Sequence, residues 1–109
     1  MKTIKASEGA PYDAPKHFNM AGVKKVTPEF SRRTTVSHSI FQPNGGAEMA
    51  ASQAERVYYV ISGSITVKGP AEEHVLSAGD MIYIAPGEQR EISVNGGKPA
   101  ATLVIVVTP

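Results

Sequence analysis

The chain contains no cysteine and no tryptophan among its 109 residues, and only 6% are aromatic. Without thiols there is no disulfide framework and no thiolate chemistry, either nucleophilic or metal-binding. No uninterrupted apolar run approaches the roughly 18 residues of a membrane-spanning helix, and no membrane partner is expected. The N-terminal Met1-Lys2-Thr3-Ile4-Lys5 lacks the apolar stretch of a signal peptide, so the expected compartment is the cytoplasm. An excess of one charge sign is also missing. Eleven Lys and Arg against ten Asp and Glu leave a net charge of +1, which gives no electrostatic footprint for nucleic acid. The basic pairs Lys24-Lys25 and Arg32-Arg33 are read as solvated strand ends. No pair of the three histidines, His17, His38 and His74, has metal-ligand spacing.

What is present is a succession of short strand signals with turn residues every 8–12 positions. Thr34–Phe41, Val57–Ile61, Ser64–Val67, His74–Leu76, Met81–Ile84, Glu91–Val94 and Ala101–Val107 read as strands, and no helical period is sustained. Ser62-Gly63 reads as a tight hairpin turn, and Ala78-Gly79-Asp80 as a second turn that Asp80 fixes. This pattern predicts an all-β antiparallel sandwich or barrel in one domain, the size at which a single core is just sufficient. Residues 1–33 carry no motif and are expected to form an arm with one or two edge strands around Phe18–Val26. Residues 34–109 are expected to form the barrel.

Two stretches carry more specific information. Pro43–Gly63 resembles the first motif of the cupin family, which runs Gly, His-x-His, Glu, Gly at fixed intervals. Aligned on Gly63, the family's Glu slot holds Arg56 and its two His slots hold Ala50 and Ser52. Gly79–Arg90 resembles the second motif, Gly-Asp through Pro-x-Gly-x-x-His, with Arg90 where the third His belongs. The resemblance covers roughly residues 34–108 and implies the cupin double-stranded β-helix, a jelly-roll barrel. It also implies that all four metal-ligand slots are vacated, two of them by arginine, so neither a metal nor another cofactor is expected.

Strand alternation then assigns faces. The resemblance turns the Glu slot toward the barrel interior, so Arg56, Tyr58 and Val60 point in while Val57, Tyr59 and Ile61 point out. By the same parity Glu48, Ala50 and Ser52 point in, and Arg90 and Ile92 arrive from the opposing strand. The outer faces of Val57–Ile61 and of Leu103–Val107 are too apolar for water, and small single-domain cupins commonly dimerise on such a face. A homodimer is the expected assembly.

The expected ligand-binding set is Arg56, Arg90, Ser52, Glu48 and Tyr58 around the small residue Ala50. Two guanidiniums this close require a negative group between them. Either Glu48 or another carboxylate (Glu55, Glu88, Glu91) pairs them inside the protein, or a bound carboxylate or phosphate does, matched bidentately by the guanidinium fork. Three functions follow: a metal-free module that binds a small anionic organic molecule, favoured here; a metal-independent isomerase, epimerase or dehydratase with Glu48 as base, Tyr58 as acid and His38 available if it faces inward; or a degenerate barrel with a structural or interaction role.

Overall fold

A computed structural model describes all 109 residues, and every regular element in it is a strand. The strands are β1 (Ala10–Tyr12), β2 (His17–Val26), β3 (Thr34–Ala50), β4 (Glu55–Ser62), β5 (Ser64–Lys68), β6 (Glu73–Ser77), β7 (Met81–Ile84), β8 (Arg90–Val94) and β9 (Ala100–Val107). All pairings are antiparallel and run β6-β5-β8-β3-β9-β4-β7, with β2 added to β3 and β1 to β2. No helix is long and apolar enough to cross a membrane.

The long strand β3 makes the barrel. Its first half, Thr34 to Phe41, pairs with β9, and its end, Gly46 to Ala50, pairs with β8. One strand therefore belongs to both walls of the jelly roll, bending between them at Asn44, whose φ is 67°. Glycine permits the approach of neighbouring backbones at this bend. A Cβ on Gly46 would lie 2.0 Å from the Ile92 carbonyl oxygen. The inner faces of both walls meet in a core of Phe41, Val60, Ile65, Leu76, Ile84 and Ile92, each no more than 5% exposed. Burial of each such side chain stabilises the fold by about 1.5–3 kcal/mol.

Four features differ from the sequence reading, the first being that β3 continues to Ala50 where the reading ended the strand at Phe41. Ser62-Gly63 is not a hairpin, because β4 pairs with β7 and β9 while β5 pairs with β6 and β8. It is a corner passing the chain from one wall to the other, with Gly63 at φ 81° and no room for a Cβ, which would lie 2.6 Å from the Pro99 carbonyl oxygen. Lys24-Lys25 lies at the end of β2 as expected, but is half-buried rather than solvated. Lys24 sits over the Tyr12 ring, and Lys25 donates to the main-chain carbonyls of Ala6 and Glu8. The arm does more than decorate an edge: β2 runs along β3 from Val26↔Val36 to His17↔Ala47 and so reaches the barrel mouth. The Ala78-Gly79-Asp80 turn is as expected, with Asp80 Oδ2 accepting the Ser77 N–H at 2.9 Å.

Candidate functional site

The barrel mouth holds a cavity of about 420 Å³. β4 delivers Arg56 and Tyr58 to it and β8 delivers Arg90, as parity requires, and Ala50 and Ser52 form part of its rim. Arg56, Tyr58 and Arg90 are 5%, 3% and 7% exposed. Phe41, Ile65, Ile92, Val104 and Val106 make the remainder of the wall largely apolar.

Both guanidiniums are held by neutral partners. Arg90 Nε donates to the Tyr58 hydroxyl at 2.8 Å and its Nη1 to the Glu48 main-chain oxygen at 3.0 Å. Arg56 Nη2 donates to the Glu88 main-chain oxygen at 2.8 Å, while its Nε is buried with no partner. Two of the carboxylates that could have paired them are engaged elsewhere. Glu88 accepts the Ala85 N–H at 2.7 Å, and Glu55 accepts the Tyr83 hydroxyl, also at 2.7 Å. The protein's ion pairs, Lys68–Glu73 and His74–Glu72, lie on the surface away from this cavity. Burial accordingly pushes Arg56 below the ordinary arginine pKa. The positive charge of Arg90 adds to that depression, and Tyr58 and Glu88 oppose it.

Glu48 does not occupy the place expected of it, and His38, whose facing the sequence left open, does not turn inward. β3 carries one extra residue against β8, since Ala47 faces Ile92 and Ala50 faces Arg90. This bulge breaks the alternation, so Ala47 and Ala50 both turn inward while the Glu48 side chain is exposed. Glu48 contributes only its backbone, accepting from Arg90 and donating its N–H to the Lys16 carbonyl at 2.8 Å. His38 lies between the buried Ser37 and Ser39 and faces the opposite way, in register with Leu103 on the outside of the barrel.

The histidine that does line the cavity is His17. It starts β2, stacks on Phe41 with ring centroids 6.1 Å apart, and places Nδ1 2.7 Å from the Pro15 carbonyl. Burial lowers its pKa from 6.5; the Pro15 hydrogen bond opposes this, and the charges of Arg90 and Arg56 add to it. Nothing in the spacing of the N-terminal residues marks His17, because only the pairing of β2 with β3 carries it to the mouth. Tyr12 and the Ala14–His17 turn complete that side of the cavity.

The four family ligand slots thus converge on one cavity as Ala50, Ser52, Arg56 and Arg90. Guanidinium is protonated at neutral pH and cannot ligate a metal. No three His, Cys, Asp or Glu side chains come together elsewhere in a metal-holding group. This donor set does not fit a divalent cation.

A family model described as a cupin domain matches residues 37–106, and the chain belongs to that family. It is 34% identical over 111 residues to a Mycobacterium tuberculosis protein named beta-D-galactosidase, an alignment covering all of this chain and 96% of that one. Among solved structures it is similar to the polyketide cyclase RemF of Streptomyces resistomycificus, with a TM-score of 0.85 and 20% identity, covering 100% of this chain and 80% of that one. It is also similar to an RmlC-like cupin from Shewanella frigidimarina, with a TM-score of 0.79 and 14% identity, covering 96% and 88%. The two structural likenesses establish the cupin barrel.

Proposed function

We propose that the cavity binds a small organic acid without a metal, the carboxylate lying against Arg56 and Arg90 and the carbon body against the apolar wall. The observation that carries this reading is the buried, partnerless Nε–H of Arg56 beside a second guanidinium that no protein carboxylate neutralises. An unmade hydrogen bond on a buried charged group costs more than one on a neutral group, and a planar carboxylate supplies the acceptor. A closed, degenerate site would instead have its arginines paired to Glu48, Glu55, Glu88 or Glu91.

The relative named as a galactosidase makes sugar acids the first compounds to try. Glycoside hydrolysis usually employs two carboxyl groups flanking the scissile bond, and no Asp or Glu lines this cavity. A carboxylate-bearing sugar satisfies the arginine pair where a neutral galactoside does not. A second reading, metal-independent acid–base catalysis on such an acid, is favoured by Tyr58. Its hydroxyl accepts from Arg90 and keeps its own proton to donate.

A thermal-shift panel of sugar acids, other carboxylates and sugar phosphates, with galactose as the neutral control, tests the reading. A ligand at 100 times its Kd adds about 2.7 kcal/mol of stability. Stabilisation by acids, lost in Arg56→Met, is expected. A response to galactose alone would reverse the assignment.

A further inference from the structure

We propose that His17 is the proton-transfer group of this cavity, its Nε2 removing a proton from the carbon next to the carbonyl of a 2-oxo acid whose carboxylate the two arginines hold. The proposal rests on the carboxylate-binding reading above and adds a reaction to it.

The tautomer follows from the hydrogen bond to Pro15. A main-chain carbonyl can only accept, so Nδ1 carries the ring proton and Nε2 presents a lone pair. The ring is fixed from three directions. Phe41 stacks on it, Pro15 holds Nδ1, and the preceding residue, Lys16, adopts a left-handed φ of 58° that non-glycine residues rarely take. That turn is tied to the arginine site through one residue: Glu48 gives its N–H to the Lys16 carbonyl and accepts from Arg90 with its own.

The groups around His17 define its protonation. Arg90 from β8 and Arg56 from β4 bring positive charge, Tyr58 from β4 brings a hydroxyl, Lys16 lies next to it in the chain, and no carboxylate lines the cavity. His17 is therefore the one side chain there suited to act as a base at neutral pH. Were it only a packing partner for Phe41, neither a bare Nε2 nor a place beside two guanidiniums would be needed.

The step balances without an added reactant. The C–H bond of the acid breaks and its proton passes to Nε2. The electron pair forms a carbon–carbon double bond as the carbonyl π pair moves onto oxygen, and Arg56 and Arg90 stabilise the resulting enolate. Return of a proton from the imidazolium restores the keto acid.

Pyruvate is the minimal probe, since it carries the carboxylate, the carbonyl and the exchangeable methyl together. Its methyl protons are followed by NMR in D2O with the full-length protein, alongside the Arg56 and Arg90 side-chain resonances. Wild type is expected to accelerate exchange over buffer, with a rate that falls on acidification at a midpoint below 6.5. His17→Gln should reduce the acceleration at least about 100-fold, the scale of general-base catalysis, while pyruvate still perturbs the arginine resonances. That persistence shows the variant is folded, and His17→Asn serves as a second replacement. Equal exchange in wild type and His17→Gln overturns the role of His17. Pyruvate that perturbs the arginines without exchanging overturns proton transfer and leaves the carboxylate reading standing. Pyruvate that leaves the arginine resonances unmoved overturns both.

Discussion

Arg56 and Arg90 occupy equivalent slots but do different work, and substitution separates them. Arg56 carries a desolvated charge with one main-chain bond and an unsatisfied Nε. Replacing such a charge with an apolar side chain of similar length is often neutral or stabilising. The unliganded Arg56→Met protein is therefore expected to melt at or above the wild-type temperature while binding acids more weakly; each lost charge-assisted contact is worth about 1.5–3 kcal/mol. Arg90 instead joins the Tyr58 hydroxyl to the Glu48 carbonyl. Arg90→Met leaves both without their donor and should destabilise the protein by about 1–3 kcal/mol even without ligand. Calorimetric melting of the two variants distinguishes these outcomes, and a large loss in Arg56→Met would mean that its charge is structural. His17 adds a pH signature. Its folded pKa lies below the 6.5 of the unfolded chain, so between those values the unfolded state binds more protons. Stability from this group is complete above about pH 6.5 and is lost as the pH falls toward the folded pKa. Urea melts of His17→Asn should show a flatter decline with acid than wild type, and parallel declines would refute the assignment.

The strands were legible in the sequence because their signals are local. β-branched and aromatic runs bounded by Gly, Pro and Asn placed β4 through β9 to within a residue or two, and parity along β4 and β8 turned Arg56, Tyr58 and Arg90 inward. What failed was non-local. Glu48 was expected to face inward by counting twos through a bulge that only the β3–β8 pairing creates. His17 was invisible because its place in the site depends on β2 pairing with a strand some 30 residues further on. The Ser62-Gly63 corner has hairpin chemistry but joins strands with different partners. The close β3–β8 approach that positions Arg90 is open to test. A methyl on Gly46 must displace the Ile92 carbonyl, whereas one on Gly97 meets nothing within 4 Å. Gly46→Ala should cost at least about 1–3 kcal/mol, and Gly97→Ala should stay within about 0.5 kcal/mol of wild type. Equal melting temperatures would show that the two strands are not held this tightly.

For the whole molecule, the outer face opposite the cavity sets the expected assembly. Register carries one apolar row from Tyr83 through Val57 and Ile105 to Val36, and another from Met81 through Tyr59 and Leu103 to His38. Met81 and Tyr83 are 63% and 56% exposed, and a second copy packed sheet on sheet would cover them. A homodimer burying about 1,200–2,000 Å² in total is expected, broken by Tyr59→Glu. A monomer by light scattering at micromolar concentration would contradict it. The barrel mouth lies on the other side of the sheet, so such a dimer would leave it open to ligand.

The central claim is that the arginine pair in that mouth awaits a carboxylate, and the Nε–H of Arg56 reports on it most directly, having no partner within the protein. Its NMR resonance is followed while the acid that most raises the melting temperature is titrated in. A saturable downfield shift, together with a matching shift at Arg90, is the predicted result. An Arg56 Nε–H that does not move while the acid demonstrably binds would place the ligand elsewhere and contradict the account.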